Sequence, residues 1–264
     1  MSFKSISLQR KDDMAVHRIN TDSTKRPTVV LLHSLGTDHT LWRHQVPALT
    51  PEYNVLTPDS RGHGRNPWPG STTVEDWTAD LRRVVEDHGP VHLVGLSMGG
   101  LQAIAFSANH PELVRSVVIA NAFARLPVDV ADARIQDSTA SITRDGMTDF
   151  AKRYLDQTLT RQLDGSDYAA LFDSISSVHP DAYLDSAKAT FRADVIPHLE
   201  SITCPALVLV GEHDAKIPAE RTAEIFEGLT DASLEVIPDA GHLSCIENPS
   251  HFNDQVVSFL NRVV

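Results

Sequence analysis

The sequence predicts an α/β fold, a mostly parallel central sheet flanked by helices and interrupted by one all-helical insertion. Three observations carry this prediction. Short apolar runs alternate with helical patterns in the first and last parts of the chain. A serine stands in a glycine-flanked turn between a predicted strand and a predicted helix. Residues 122–201 contain no convincing strand.

The first predicted strand is Val29-Val30-Leu31-Leu32, apolar at every position, as a parallel sheet covered on both faces requires. Asn54-Val55-Leu56-Thr57 is a shorter one. A helix follows: Thr72 and Glu75 have capping-box spacing, and Val74, Trp77, Leu81, Val84 and Val85 fall on one face. Val91 to Val94, Val117 to Ala120, Leu207 to Val210 and Leu234 to Ile237 complete the predicted parallel strands. The last helix spans about Pro249 to Arg262, with Phe252, Val256, Phe259, Leu260 and Val263 on one side. Within the insertion, three apolar stripes have helical spacing. They are Phe150 to Leu155, Tyr168 to Ile175 and Tyr183 to Phe191, punctuated by Pro127, Pro180 and Pro197. The expected organisation is a core built from residues 1–121 and 202–264, with residues 122–201 as a helical cap. Such an insertion would sit over the carboxyl ends of the strands, where open sheets bind ligands.

Composition narrows the function classes. The 41% hydrophobic and 22% charged residues suit a packed core rather than a disordered chain. A net charge of −12 argues against nucleic acid or an anionic membrane as the main partner. Cys204 and Cys245 have no C-x-x-C spacing, so neither a disulfide framework nor a zinc site is expected. The stretch Met1 to Ile6 carries no apolar leader and no run is long enough to span a membrane, so the expectation is a soluble, cytoplasmic protein.

The chemistry is read from Gly95-Leu96-Ser97-Met98-Gly99-Gly100, which follows the strand Val91 to Val94 and opens a helix from about Met98 to Asn109. A turn this sharp has no room for side chains at Gly95 and Gly99. It lifts the Ser97 hydroxyl off the sheet beside a helix N-terminus, which favours developing negative charge. Serine needs a base, and the base needs an orienting acid. Of the thirteen histidines, His242 lies in the loop after the last strand, behind Asp239-Ala240-Gly241. Asp214 follows the preceding strand and the turn Gly211-Glu212-His213. The order Ser, acid, His suits this fold, and strand-end loops of a parallel sheet meet at one edge. Glu212 competes for the acid role but lies closer to its strand, and His213 has no further ligands at metal spacing. The backbone N–H groups of Leu35 and Met98 are the expected oxyanion donors. Asp59, Arg61 and His63 are expected to buttress the loops, and no metal or cofactor is expected.

Taken together, these stretches resemble the α/β-hydrolase superfamily over nearly the full chain. The carrying residues are Leu31-Leu32-His33-Ser34-Leu35-Gly36-Thr37-Asp38, Asp59-Ser60-Arg61-Gly62-His63-Gly64, the Ser97 turn, Gly211-Glu212-His213-Asp214 and Ala240-Gly241-His242-Leu243-Ser244. Within it the chain looks most like the 3-oxoadipate enol-lactone hydrolases, through Ser34 to Asp38 with Trp42, Ala120-Asn121-Ala122, and Glu247-Asn248-Pro249. The resemblance implies an α/β-hydrolase fold with a helical cap and hydrolysis of a small lactone or ester, as in aromatic catabolism, through an acyl-serine. Two departures stand out. Phe123 and Arg125 occupy the place where that group is expected to carry a pocket tryptophan, and Asn66 replaces the usual serine after Gly64. An acid-bearing substrate would need a cation near the pocket; Phe123 and the cap arginines Arg125, Arg134 and Arg192 are the substrate-binding candidates. The same triad also serves carbon–carbon bond hydrolases and haloperoxidase-like perhydrolases, and the fold serves small-ligand receptors.

Overall fold

Eight strands form one sheet in the order β1-β2-β4-β3-β5-β6-β7-β8. The structure, a computed structural model, describes residues 6–7, 16–19 and 26–263. Of the stretch Met1 to Ile6, all but Ile6 lies outside them. Strands β1 (Ile6–Ser7) and β2 (Val16–Ile19) form an antiparallel edge that the apolar-run pattern did not reveal. The remaining six, β3 (Thr28–Leu32), β4 (Asn54–Pro58), β5 (Val91–Leu96), β6 (Val114–Ala120), β7 (Ala206–Gly211) and β8 (Ala232–Ile237), are all parallel. They are the six predicted strands, each lengthened by one to three residues. Strands β3, β4 and β5 are buried at every position.

Helices α1 (Gln45–Leu49), α2 (Val74–Val85), α3 (Met98–Asn109), α7 (Ala219–Gly228), α8 (Ser244–Glu247) and α9 (Pro249–Arg262) belong to the strand-alternating part; α4 (Val128–Thr158), α5 (Gly165–Ser177) and α6 (Pro180–Phe191) lie between β6 and β7. Both α3 and α9 have the predicted limits. The cap of α2 differs from the prediction by one residue. Thr73 is the N-cap, its side chain accepting from the Asp76 amide while Asp76 accepts from the Thr73 amide. The box is therefore Thr73–Asp76 rather than Thr72–Glu75: Thr73 has the extended backbone of an N-cap, Val74 opens the helix, and the buried face Trp77, Leu81, Val84 and Val85 belongs to a helix packed on α3. Two apolar layers cover the sheet. One contains Trp42, Trp77 and Phe252, the other Leu101, Phe106 and Ile225.

The insertion is helical, as expected, but its first helix is a single 31-residue run broken at Gly146, whose φ of +76° interrupts the helix. Its ends meet in an antiparallel bridge, Arg125 to Asp194, beside a hydrogen bond from Val195 N to Ala124 O. The stretch Ile196–Ser201 packs back onto α3 and α7, so the raised helical part is α4 to α6. No helix among the described residues is long and apolar enough to cross a membrane.

Candidate active site

The carboxyl ends of the parallel strands supply the serine, the acid and the histidine of the site. After β5, Ser97 sits at φ +56°, ψ −113°, a backbone conformation that side-chain-bearing residues seldom adopt. The turn is held by Ser97 N donating to Ala120 O at 2.9 Å and Gly100 N donating to Ser97 O at 2.9 Å. A Cβ on Gly95 would fall on Gly99 O, and one on Gly99 would fall on Leu32 O. The two glycines are therefore required by contact of backbone with backbone.

Three side chains converge there. His242 Nε2 lies 3.0 Å from Ser97 Oγ, and His242 Nδ1 lies 3.0 Å from Asp214 Oδ2. All three groups are shielded from solvent. Asp214 is further held by Asn121 Nδ2 (2.9 Å to Oδ2) and by the amides of Lys216 (2.9 Å) and Ile217 (3.0 Å) on Oδ1. Burial works to raise the Asp214 pKa, but the adjacent His242 and these hydrogen bonds outweigh it and hold the carboxyl below its ordinary value. It is thus ionised wherever the protein is near neutral pH.

Asn121 went unassigned in the sequence. It follows β6 with φ +49°, donates to Asp214 and to Gly241 O, and accepts from Ser244 Oγ at 2.5 Å. The signal was present: an asparagine at a strand end tolerates a left-handed backbone and carries both donor and acceptor. Glu247 is the second such residue. Buried, it accepts from Leu243 N (3.2 Å), Thr160 N (2.8 Å) and Thr160 Oγ1 (2.5 Å), tying the loop of His242 to the α4–α5 connection of the helical insertion.

The loop after β3 carries Leu35, which lines the pocket with Ser97 and His242, while Met98 opens α3 directly behind the serine. Two histidines brace this loop. His63 Nε2 accepts from Gly36 N at 3.1 Å, and His33 Nε2 accepts from Ser60 N at 2.9 Å. A ring nitrogen that accepts an N–H is unprotonated, so both imidazoles are neutral. Burial pushes His63 down to about 3 and lowers His33 as well. Asp59 Oδ1 accepts from His39 N and Nδ1, both at 2.9 Å, and Oδ2 from Arg65 N at 3.0 Å; Arg61 pairs with Asp76 (3.0 Å) and Asp80 (2.8 Å). These residues buttress loops and do not line the pocket. His17, His39 and Asp59 bring N and O atoms within 4.8 Å of one another, the spacing of a metal-ligand cluster, with both rings turned toward the Asp59 carboxylate. Glu212, exposed, accepts from Asp239 N, away from the triad; contrary to the sequence expectation, His213 does find further groups at ligand spacing, because the turn after β8 brings Asp239 beside Glu212 and His213 with donor atoms within 4.8 Å of one another, all three exposed.

The pocket over Ser97 is small, about 190 Å³. Phe123 and Arg134 line it as the sequence suggested. Arg125 and Arg192 do not. Their side chains are 57% and 63% exposed and are paired outward with Asp194 and Asp132. Arg125 stands in the bridge to Asp194 and Arg192 at the C-cap of α6; Ala124, Leu126 and Ala193 beside them are buried while these two side chains point outward. The cations missed were Arg153 and Lys216, both in the lining.

A parallel sheet with a serine elbow after β5, an acid after β7 and a histidine after β8 defines a hydrolase-type architecture. The model of the alpha/beta hydrolase fold family matches residues 27–249, and the chain belongs to that family. Among curated proteins it is similar to 3-oxoadipate enol-lactonase 1 of Acinetobacter baylyi, 30% identical over 229 residues covering 86% of this chain and 85% of that one. Among solved structures it resembles the enol-lactonase from Burkholderia xenovorans LB400, with TM-score 0.84, 30% identity and coverage of 94% and 97%. A thermophilic esterase from Thermogutta terrifontis, solved with malate bound, superposes with TM-score 0.84 at 26% identity over 100% and 99% of the chains.

Proposed function

We propose that this protein is a serine hydrolase that opens a small lactone or cleaves a small carboxylic ester through an acyl-serine intermediate. The unbroken line Ser97 Oγ, His242 Nε2, His242 Nδ1, Asp214 Oδ2, with 3.0 Å at each hydrogen bond, is the observation that carries this reading. His242 Nε2 takes the hydroxyl proton as Ser97 Oγ bonds to the substrate carbonyl carbon, and the carbonyl π pair moves onto oxygen. The Leu35 and Met98 amides hold that oxyanion. Asp214 keeps the proton on Nδ1 and balances the imidazolium charge. The oxyanion collapses, the C–O bond to the leaving oxygen breaks, and His242 Nε2–H protonates that oxygen. Water then repeats the sequence: His242 takes its proton, its oxygen bonds to the acyl carbon, and Ser97 leaves and recovers the proton.

The size of the cavity and the likeness to enol-lactonases favour a short acyl group or a lactone over a long-chain ester. Residues 122–201 serve in this reading as the cap that shapes the pocket over a core of residues 1–121 and 202–264. The test is a panel of lactones, enol-lactones and short linear esters ranked by kcat/KM, with a ring-fission diketone as a carbon–carbon substrate. The lactones and esters should lead, and Ser97→Ala should lower kcat by about 10⁴-fold or more. Activity that survives Ser97→Ala, or a clear preference for the diketone, would overturn the assignment.

A further inference from the structure

The two oxygens of the Asp214 carboxylate have different duties. Oδ1 accepts from the backbone amides of Lys216 (2.9 Å) and Ile217 (3.0 Å), which fix the carboxylate in place. Oδ2 accepts from His242 Nδ1 at 3.0 Å and from Asn121 Nδ2 at 2.9 Å. One oxygen is thus shared between the imidazole of the base and a side-chain amide. Asn121 is fully buried, and its side chain does not line the pocket. Its partners fix which way the amide points. Nδ2 meets two acceptors, Asp214 Oδ2 and Gly241 O (3.1 Å), while Oδ1 meets the hydroxyl of Ser244 at 2.5 Å. A flipped amide would set its oxygen against two acceptors, so the N–H faces the carboxylate. Ser244 donates to the same amide from behind, which polarises the N–H that reaches Asp214.

A hydrogen bond to Oδ2 draws charge away from the oxygen that holds Nδ1–H. The carboxylate then binds the imidazolium less strongly, and the imidazole sheds its second proton more readily. His242 must be free at Nε2 to take the Ser97 proton. We propose that Asn121 is a positioning residue that meters, through Asp214 Oδ2, the charge lent to His242 and so sets the lower pH limit of activity. The proposal rests on the hydrolase reading and adds to it the group that tunes its base. The amides on Oδ1 keep Asp214 in place when the Asn121 side chain is replaced, so its loss alters the sharing of charge without releasing the acid. Other ionisable groups face the pair: Arg134, Asp137, Arg153 and Tyr154 of α4, Tyr183 of α6, Lys216 beside Asp214, and Glu247 of α8 behind Leu243. Among the described residues none of their side chains reaches Oδ2 by a hydrogen bond, and substitution at 121 leaves all of them in place.

The acid limb of the kcat/KM profile on 4-nitrophenyl acetate, an ester with no charge of its own, tests it. Asn121→Gly removes the amide and keeps a residue that tolerates the φ of +49°. The limb should move to higher pH by about half a unit to one unit, about a threefold to tenfold gain in the proton affinity of the base. Asn121→Asp keeps the side-chain shape and the acceptor for Ser244, replaces the donor by a carboxylate, and should move the limb further in the same direction. Thermal unfolding shows which variants are folded, and the second, equal in shape to the wild type, decides if the first is not. A residue that only braces the loop would lower the plateau and leave the limb where it is. An unmoved limb, or one displaced to lower pH, in a folded variant overturns the proposal while leaving the hydrolase intact. The rate of Ser97 labelling by a fluorophosphonate depends on the same base without ester turnover. If the wild type is labelled but cleaves no ester, the hydrolase reading fails and the labelling profile decides alone: a limb raised in the variants upholds the tuning, and an unmoved one overturns it. Absence of labelling overturns both.

Discussion

On the core side of the pocket, Asp214 accepts four hydrogen bonds, His242 bridges it to Ser97, and His33 and His63 each accept a backbone N–H. On the side facing it, Arg153 Nη2 of the insertion has no acceptor among the described residues, and the ammonium of Lys216, from the loop after β7, rests on the Tyr154 ring. The first side is satisfied by its own hydrogen-bond partners; the second keeps a buried donor without one. Catalytic power depends on groups fixed before substrate arrives, whereas discrimination depends on what the substrate itself satisfies. The division assigns chemistry to the strand ends and selectivity to the helices and the loop facing them.

The sharpest way to break this division is to remove the base. We predict that His242→Ala lowers kcat by about 10⁴-fold or more on anionic and neutral esters alike, while thermal unfolding stays cooperative. Steady-state rates on both ester types check it, and a loss confined to one of them would contradict it.

Glycines sharpen the contrast next. Gly99→Ala drives a Cβ into Leu32 O, so the elbow must shift or fail to form. The expected cost is above about 3 kcal/mol, beyond the usual range for a single substitution. Gly165, at the first turn of α5 in the insertion, has open space around it, and Gly165→Ala should change stability by less than about 1 kcal/mol, in the stabilising direction. Denaturant midpoints of the two variants measure the difference; equal costs would remove the distinction.

Acid acts behind the pocket, through buried neutral histidines that do not line it. His63 is held at about 3 against an ordinary 6.5, and burial holds His92 at about 4. The unfolded chain therefore binds more protons than the folded one between these values, and stability falls as pH drops from 6.5 toward the folded values. Each such histidine costs about 1.4 kcal/mol per pH unit inside that window. His63→Gln should flatten the decline of Tm between neutral pH and mild acid. An unaltered slope would show that His63 is not neutral in the fold. The smallest effect belongs to Arg125 and Arg192. Their outward ion pairs are worth less than about 1 kcal/mol, and Arg125→Ala or Arg192→Ala should leave kcat/KM within about twofold.

The same division governs what the sequence made legible. Ser97 and Asp214 were readable because each follows a buried apolar strand, His242 because it closes the loop after the half-exposed edge strand β8, and Gly95 and Gly99 mark a turn where only glycine fits. Backbone constraint of that kind leaves a trace in local residue order. The antiparallel edge β1–β2 left none, being short and outside the apolar-run pattern. Arg153 and Lys216 were missed for a different reason. A helix such as α4 presents residues to several surroundings, and only its packing against α5 and α6 decides which arginine faces the pocket, while Lys216 stands in the loop after β7, whose path no periodicity records. Arg134 and Arg192 looked alike in the sequence, yet one lines the cavity and the other pairs with Asp132 on the surface. Asn121 and Glu247 lay between the two cases: both sit at strand ends or in the His242 loop, but their roles depend on partners over a hundred and about ninety residues away, respectively.

Whether Ser97 becomes an attacking group is answered most directly by labelling it. A fluorophosphonate probe followed by intact mass and peptide mapping should give one adduct, on the peptide containing Ser97, and none in His242→Ala. Continued ester turnover by fully probe-treated protein, or an adduct mapped to any other residue, would contradict the account.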